Sequence, residues 1–123
     1  MNPKTITSTF STGGQITAAD VRRLADRGFR SIICNRPDSE GPDQPAFAEI
    51  AAAAQAVGLQ ARHIPVVAGN VSNADAAAFR RALDELPKPV FAYCRSGMRS
   101  SALWSLSQSR TRSERDGGGR ARA

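Results

Sequence analysis

A chain of 123 residues with 41% hydrophobic content, one Trp and one Tyr is a single domain with room for one modest core. Of its net charge of +6, half lies in residues 110–123, where five arginines face Glu114 and Asp116; the mildly basic remainder, without interleaved aromatics, excludes a specific nucleic-acid function. No apolar run nears the ~18 residues that cross a bilayer, and the opening MNPKTITSTFS lacks the apolar core of a signal peptide, so no membrane association and a cytoplasmic location are expected.

In chain order, Thr5 to Phe10 alternates β-branched and polar residues and predicts a first strand, with Ser11 to Gln15 as a turn. Thr17 then caps a helix, Asp20 completes its capping box, Val21, Leu24 and Ala25 recur at helical spacing, and Gly28 stops it. Phe29 to Cys34 is an Ile-rich strand, followed by the long polar loop from Asn35 to Pro42. A second helix, Gln44 to Val57, leads to a third strand, Gln60 to Val66. Ser72 and Asp75 open a third helix that runs to Leu86, and Pro87 and Pro89 break it before the strand Val90 to Tyr93. A fourth helix opens at about Met98.

Repeated strand–helix alternation predicts a single three-layer α/β domain over residues 1–108, with a mostly parallel sheet of about four strands flanked by helices. In such folds ligands bind beyond the carboxyl ends of the strands, where the loops 35–42, 67–71 and 94–99 leave the sheet. Residues 109–123, SRTRSERDGGGRARA, have no apolar residue larger than Ala and read as a disordered tail.

The segment PVFAYCRSGMRSSAL, residues 89–103, carries the chemistry. A cysteine where a strand hands over to a helix N-terminus meets unpaired N–H groups and the positive end of the helix dipole, which favour the thiolate. Cys94 is therefore the expected nucleophile. Arg99 is expected to bind an anion in bidentate fashion, as a planar guanidinium does. Ser96, Gly97 and Met98 would offer backbone N–H groups, with Gly97 letting the loop curl. Arg95 either touches substrate or points outward. Ser100 either hydrogen-bonds the thiolate or is a solvated helix residue.

Asp38 is either a proton donor, an ion-pair partner of Arg36 or Arg99, or a turn former after Pro37. Cys34 reads as buried packing rather than a resolving thiol, and His63 as a strand histidine. Two cysteines make no disulfide framework, and with one histidine there is no metal-ligand set, so neither a metal nor another cofactor is expected.

The combination of GGQITAADVRRLADRGFRSIICNRPDSEG, ARHIPV and AYCRSGMRS followed by SALW resembles the phosphatase-like domain of beta-lactamase hydrolase-like proteins, a cysteine-phosphatase-like group, over about residues 5–108. That group is described both as phosphatase-like hydrolases and as sulfur transferases, and the resemblance implies a metallo-beta-lactamase-type partner. Two departures bear on the activity. Cysteine phosphatases place His before the nucleophile and five residues between it and the arginine; here Tyr93 precedes Cys94 and four residues separate it from Arg99. The shorter ring matches rhodanese-type sulfur transferases. The expected activity is therefore transfer of sulfane sulfur through a Cys94 persulfide, from a small anionic or persulfide substrate. The alternatives are phosphomonoester hydrolysis through a phosphocysteine, with Asp38 or Asp75 as acid, and a module that only binds an oxyanion. The resemblance also implies a further helix after the fourth, which the tail does not supply, so a truncation or altered frame near Ser109 is expected.

Overall fold

Five short strands and four helices alternate along the chain in the computed structural model, which describes residues 1–108. The tail 109–123, with the truncation expected near Ser109, lies outside the described residues. The strands are β1 (Lys4–Thr7), β2 (Phe10–Gly13), β3 (Ser31–Cys34), β4 (Gln60–His63) and β5 (Val90–Tyr93). The helices are α1 (Ala18–Asp26), α2 (Phe47–Ala56), α3 (Asn73–Glu85) and α4, which starts at residue 98 and continues to 108. The sheet order is β1-β2-β5-β3-β4, parallel throughout except for β1, which runs antiparallel to β2.

The expected α/β layering is present, with one more strand than expected. The stretch read as one strand and a turn is a hairpin closed at Ser8–Thr9. Ser11 and Thr12 look like turn residues, yet they are buried because β2 lies between β1 and β5, and the Thr12 hydroxyl meets that of Ser101 at 3.1 Å. Tertiary packing overrides local polarity there.

Both capping boxes form as expected. Thr17 Oγ1 accepts from the Asp20 N–H while Asp20 Oδ2 accepts from the Thr17 N–H, and Ser72 and Asp75 do the same for α3. Helix α2 begins three residues later than expected, after Pro45, and its N-cap Ala46 has no side chain to offer. The cap comes from the preceding loop: Asp38 Oδ1 accepts from the Phe47 N–H at 2.8 Å. Strand β4 is shorter than expected because Pro65 has no N–H to continue the ladder.

Alternation along the central strands feeds two cores. Ile32, Cys34, Phe91 and Tyr93 face Val21, Leu24, Ile50 and Ala54 of α1 and α2. Ile33, Val90 and Ala92 face Phe79 and Ala82 of α3 and Leu103 of α4. Fixed from both faces, β5 brings its last residues to the middle of the carboxyl edge, with the end of β2 on one side and the loop after β3 on the other.

Candidate active site

The chain leaves β5 at Cys94 and turns through residues 95–97 into α4. The first N–H groups of a helix have no partner within it, and here they turn back on the cysteine. The Gly97 N–H points at Cys94 Sγ from 3.1 Å. Burial opposes ionisation of this thiol, but the N–H groups of Ser100, Ser96, Gly97 and Arg99 outweigh it and hold its pKa below the ordinary value. The residue is 1% exposed, at the floor of the loop.

The end of β2 braces this curl. Gly97 has φ +96°, and a Cβ there would stand 3.3 Å from the Gly13 carbonyl. A Cβ on Gly14 would lie 2.9 Å from the Arg95 carbonyl oxygen, so this position must be bare for the turn after β2 to lie against the loop after β5. The Cys94 N–H donates to Gly13 O and the Gln15 N–H to Arg95 O. The GGQ triplet is thus the outer wall of the loop.

Arg99 folds back over the loop, but its end is already gripped. Nη1 donates to Glu40 Oε2 and to Val66 O, both at 2.8 Å, and Nη2 donates to Glu40 Oε1 at 2.7 Å. A guanidinium has five N–H donors; the edge formed by Nε and the second Nη2 hydrogen is left over for an oxyanion. Hydrogen bonding to Glu40 first, and then the neighbouring Cys94 sulfur, keep Arg99 protonated against the effect of burial. Arg36, also buried, donates from Nε to Glu40 Oε1 at 3.0 Å and from Nη1 to Gln15 Oε1 at 3.1 Å. The Arg99 guanidinium, with a smaller share from Arg36, pulls the Glu40 carboxyl down to about 2.

Several expectations are revised by these contacts. Asp38 pairs with neither arginine: it is committed to the α2 terminus, while Glu40, two residues on and one methylene longer, reaches both guanidiniums. The Ser100 hydroxyl does not serve the thiolate; it donates to Asn35 Oδ1 at 2.8 Å, and Asn35 in turn donates to Ile64 O. It is the backbone N–H of Ser100, not its hydroxyl, that helps hold the Cys94 pKa down. The Met98 N–H turns to Ser96 Oγ at 3.4 Å, and its side chain is 77% exposed at the rim. The Arg95 side chain is exposed and borders an open depression of about 400 Å³ with Gln15, Arg36, Glu40 and Gln44.

Cys34 is packing, as expected: its thiol donates to Arg36 O, and burial pushes its pKa up. His63 Nε2 lies 2.9 Å from the same carbonyl oxygen, and its ring stacks on Phe47. Burial likewise pushes up the Tyr93 phenol, whose hydroxyl lies near Cys34 and Gln15 without a well-formed hydrogen bond to either. Glu40, Arg36, Gln15 and Asn35 were not singled out for the site by the sequence. Charge accounting offers one signal for Glu40: two arginines drawn to one sheet edge require a carboxylate, and it is the acid of the 35–42 loop whose stem can reach.

Comparison with known proteins shows the family and the fold. The family model for the beta-lactamase hydrolase-like protein, phosphatase-like domain, matches residues 2–111. A beta-lactamase hydrolase-like protein of Agrobacterium fabrum is 38% identical over 103 residues, 84% of this chain and 24% of the relative. The chain thus spans about a quarter of the length of the curated relatives it matches. Among solved structures, a candidate phosphatase from Neisseria meningitidis superposes with a TM-score of 0.77 at 37% identity, covering 82% of this chain and 72% of that one. The core catalytic domain of the PP-IP phosphatase SIW14 from S. cerevisiae shares the fold, with a TM-score of 0.59 at 16% identity over 79% of this chain and 57% of that one. This chain belongs to the family of the phosphatase-like domain of beta-lactamase hydrolase-like proteins.

Proposed function

We propose that this domain is a phosphatase-type hydrolase that cleaves phosphate monoesters by two displacements at Cys94. The observation that carries the reading is a buried thiol at the start of α4 that accepts the Gly97 N–H at 3.1 Å, beside the folded-back Arg99 guanidinium, with loop N–H groups holding its pKa down. In the first step the Cys94 thiolate forms an S–P bond as the P–O bond to the leaving group breaks. The N–H groups and the free edge of Arg99 receive the charge that develops on the non-bridging oxygens. In the second step water attacks phosphorus, the S–P bond breaks, and inorganic phosphate and the thiolate are released. With Asp38 capping α2, the leaving oxygen takes its proton from water, so esters of acidic alcohols such as aryl phosphates are the best substrates.

Sulfur transfer through a Cys94 persulfide is the second reading, favoured by the four-residue spacing between Cys94 and Arg99. The family and its phosphatase-named structural neighbours weigh toward the first. Two assays on the purified chain separate them: hydrolysis of para-nitrophenyl phosphate, and sulfur transfer from thiosulfate to cyanide. Phosphatase activity that disappears in Cys94→Ser supports the proposal. Cys94-dependent transfer to cyanide without ester hydrolysis supports the second reading, and silence in both supports an oxyanion-binding module. A metallo-beta-lactamase-type partner, and the small anionic substrate such a pairing would handle, belong to the same set of proposals.

A further inference from the structure

We infer that Glu40 is a positioning residue that fixes which edge of Arg99 meets the oxyanion, and so sets the geometry of the whole anion site. The inference rests on the oxyanion-binding part of the reading above, not on hydrolysis itself. Glu40 occupies both terminal nitrogens of Arg99, at 2.7 and 2.8 Å, while Val66 O takes the remaining Nη1 hydrogen. The guanidinium is thereby held in plane on one side, and the Nε edge is the one that remains. Glu40 is in turn held by Arg36 Nε, and Arg36 by Gln15.

This chain of contacts ties the loop after β3 and the turn after β2 to the catalytic loop. Gly41 packs closely under Arg36, where a Cβ would stand 2.9 Å from Nη2, and the Gln44 side chain ties the loop to itself through the Glu40 and Gly41 N–H groups and Pro37 O. The strap that carries Glu40 is therefore built rather than loose. Without the carboxylate, two guanidiniums face each other with no shared acceptor, and Arg99 is free to offer its terminal edge to a ligand instead.

Charge and orientation predict opposite results. Removing a negative group beside an anion site strengthens anion binding on charge alone. Releasing the guanidinium from its plane weakens it, because misplacement by about 1 Å can cost as much as 100-fold. We expect orientation to win. Inorganic tungstate, a tetrahedral oxyanion, should bind the unaltered chain and bind Glu40→Gln about tenfold more weakly by calorimetry. Glu40→Asp, which keeps the charge on a shorter stem, should recover part of that loss. Equal or tighter tungstate binding by Glu40→Gln would overturn the inference, as would failure of the unaltered chain to bind tungstate. Should Glu40→Gln not fold, Gln15→Ala provides the second readout, since it frees Arg36 and loosens Glu40: weaker tungstate binding supports the inference and unchanged binding overturns it. Tungstate binding with this pattern but no ester hydrolysis would sink the proposed hydrolysis and leave the role of Glu40 standing.

Discussion

The Gly97 N–H stands 3.1 Å from Cys94 Sγ in a turn where Gly97 has φ +96° and carries no Cβ, which would stand 3.3 Å from the Gly13 carbonyl. One residue without a side chain thus joins the nucleophile to the end of β2. The turn makes an anion nest out of backbone that would otherwise point to solvent.

Replacing Gly97 tests that link. In Gly97→Ala the added Cβ meets the Gly13 carbonyl at 3.3 Å, in a conformation that costs a side-chain-bearing residue about 1–2 kcal/mol. The loop should relax by moving its N–H away, raising the Cys94 pKa and slowing iodoacetamide alkylation near neutral pH. A thermal melt should register the strain. An alkylation profile identical to that of the unaltered chain would show that the Gly97 N–H does not contribute.

Asp38 separates capping from acid catalysis. Asn keeps an oxygen that can accept the Phe47 N–H but cannot donate a proton as a carboxylic acid does. Asp38→Asn should therefore hydrolyse para-nitrophenyl phosphate and phenyl phosphate about as fast as the unaltered chain, whereas loss of a general acid costs roughly 100-fold or more. Asp38→Ala should lower stability by about 1 kcal/mol, as a lost helix cap does. A large rate loss in Asp38→Asn, greater for phenyl than for nitrophenyl phosphate, would restore Asp38 as the proton donor.

Glu40 also predicts a pH dependence of stability. Its carboxyl falls from the ordinary 4.5 to about 2 in the fold, chiefly through Arg99, so the folded state holds this proton less tightly than the unfolded chain. The contribution is complete above 4.5 and is lost as the pH falls toward 2. The difference in urea midpoint between the unaltered chain and Glu40→Gln should stay constant from neutrality to about pH 5 and shrink below it. A gap that narrows well above that range would assign the stabilisation to another group.

Much of this fold follows from local signals that the structure reproduces. Thr17 with Asp20 and Ser72 with Asp75 start their helices where the capping pattern puts them, and Val90 to Tyr93 is the strand that the apolar run implies. The hairpin was hidden because Ser11 and Thr12 carry turn-like side chains, and only the neighbours β1 and β5 make them sheet residues. In the site, Cys94 and Arg99 are legible because their chemistry is written in adjacent residues. Glu40 and Asn35 are not, since their contacts with Arg99 and Ser100 span 59 and 65 positions. Ser100 shows the limit most plainly: its position beside Arg99 suggests service to the thiolate, and its hydroxyl goes instead to a buried amide.

The most direct test of the central claim is the covalent state of Cys94 during turnover. The unaltered chain, mixed with excess para-nitrophenyl phosphate and quenched in acid within the first turnovers, should show by peptide mass spectrometry one phosphoryl group on Cys94, absent from Cys94→Ser. A Cys94 that takes up no phosphoryl group, yet gains a single sulfur atom from thiosulfate, would contradict the phosphatase account.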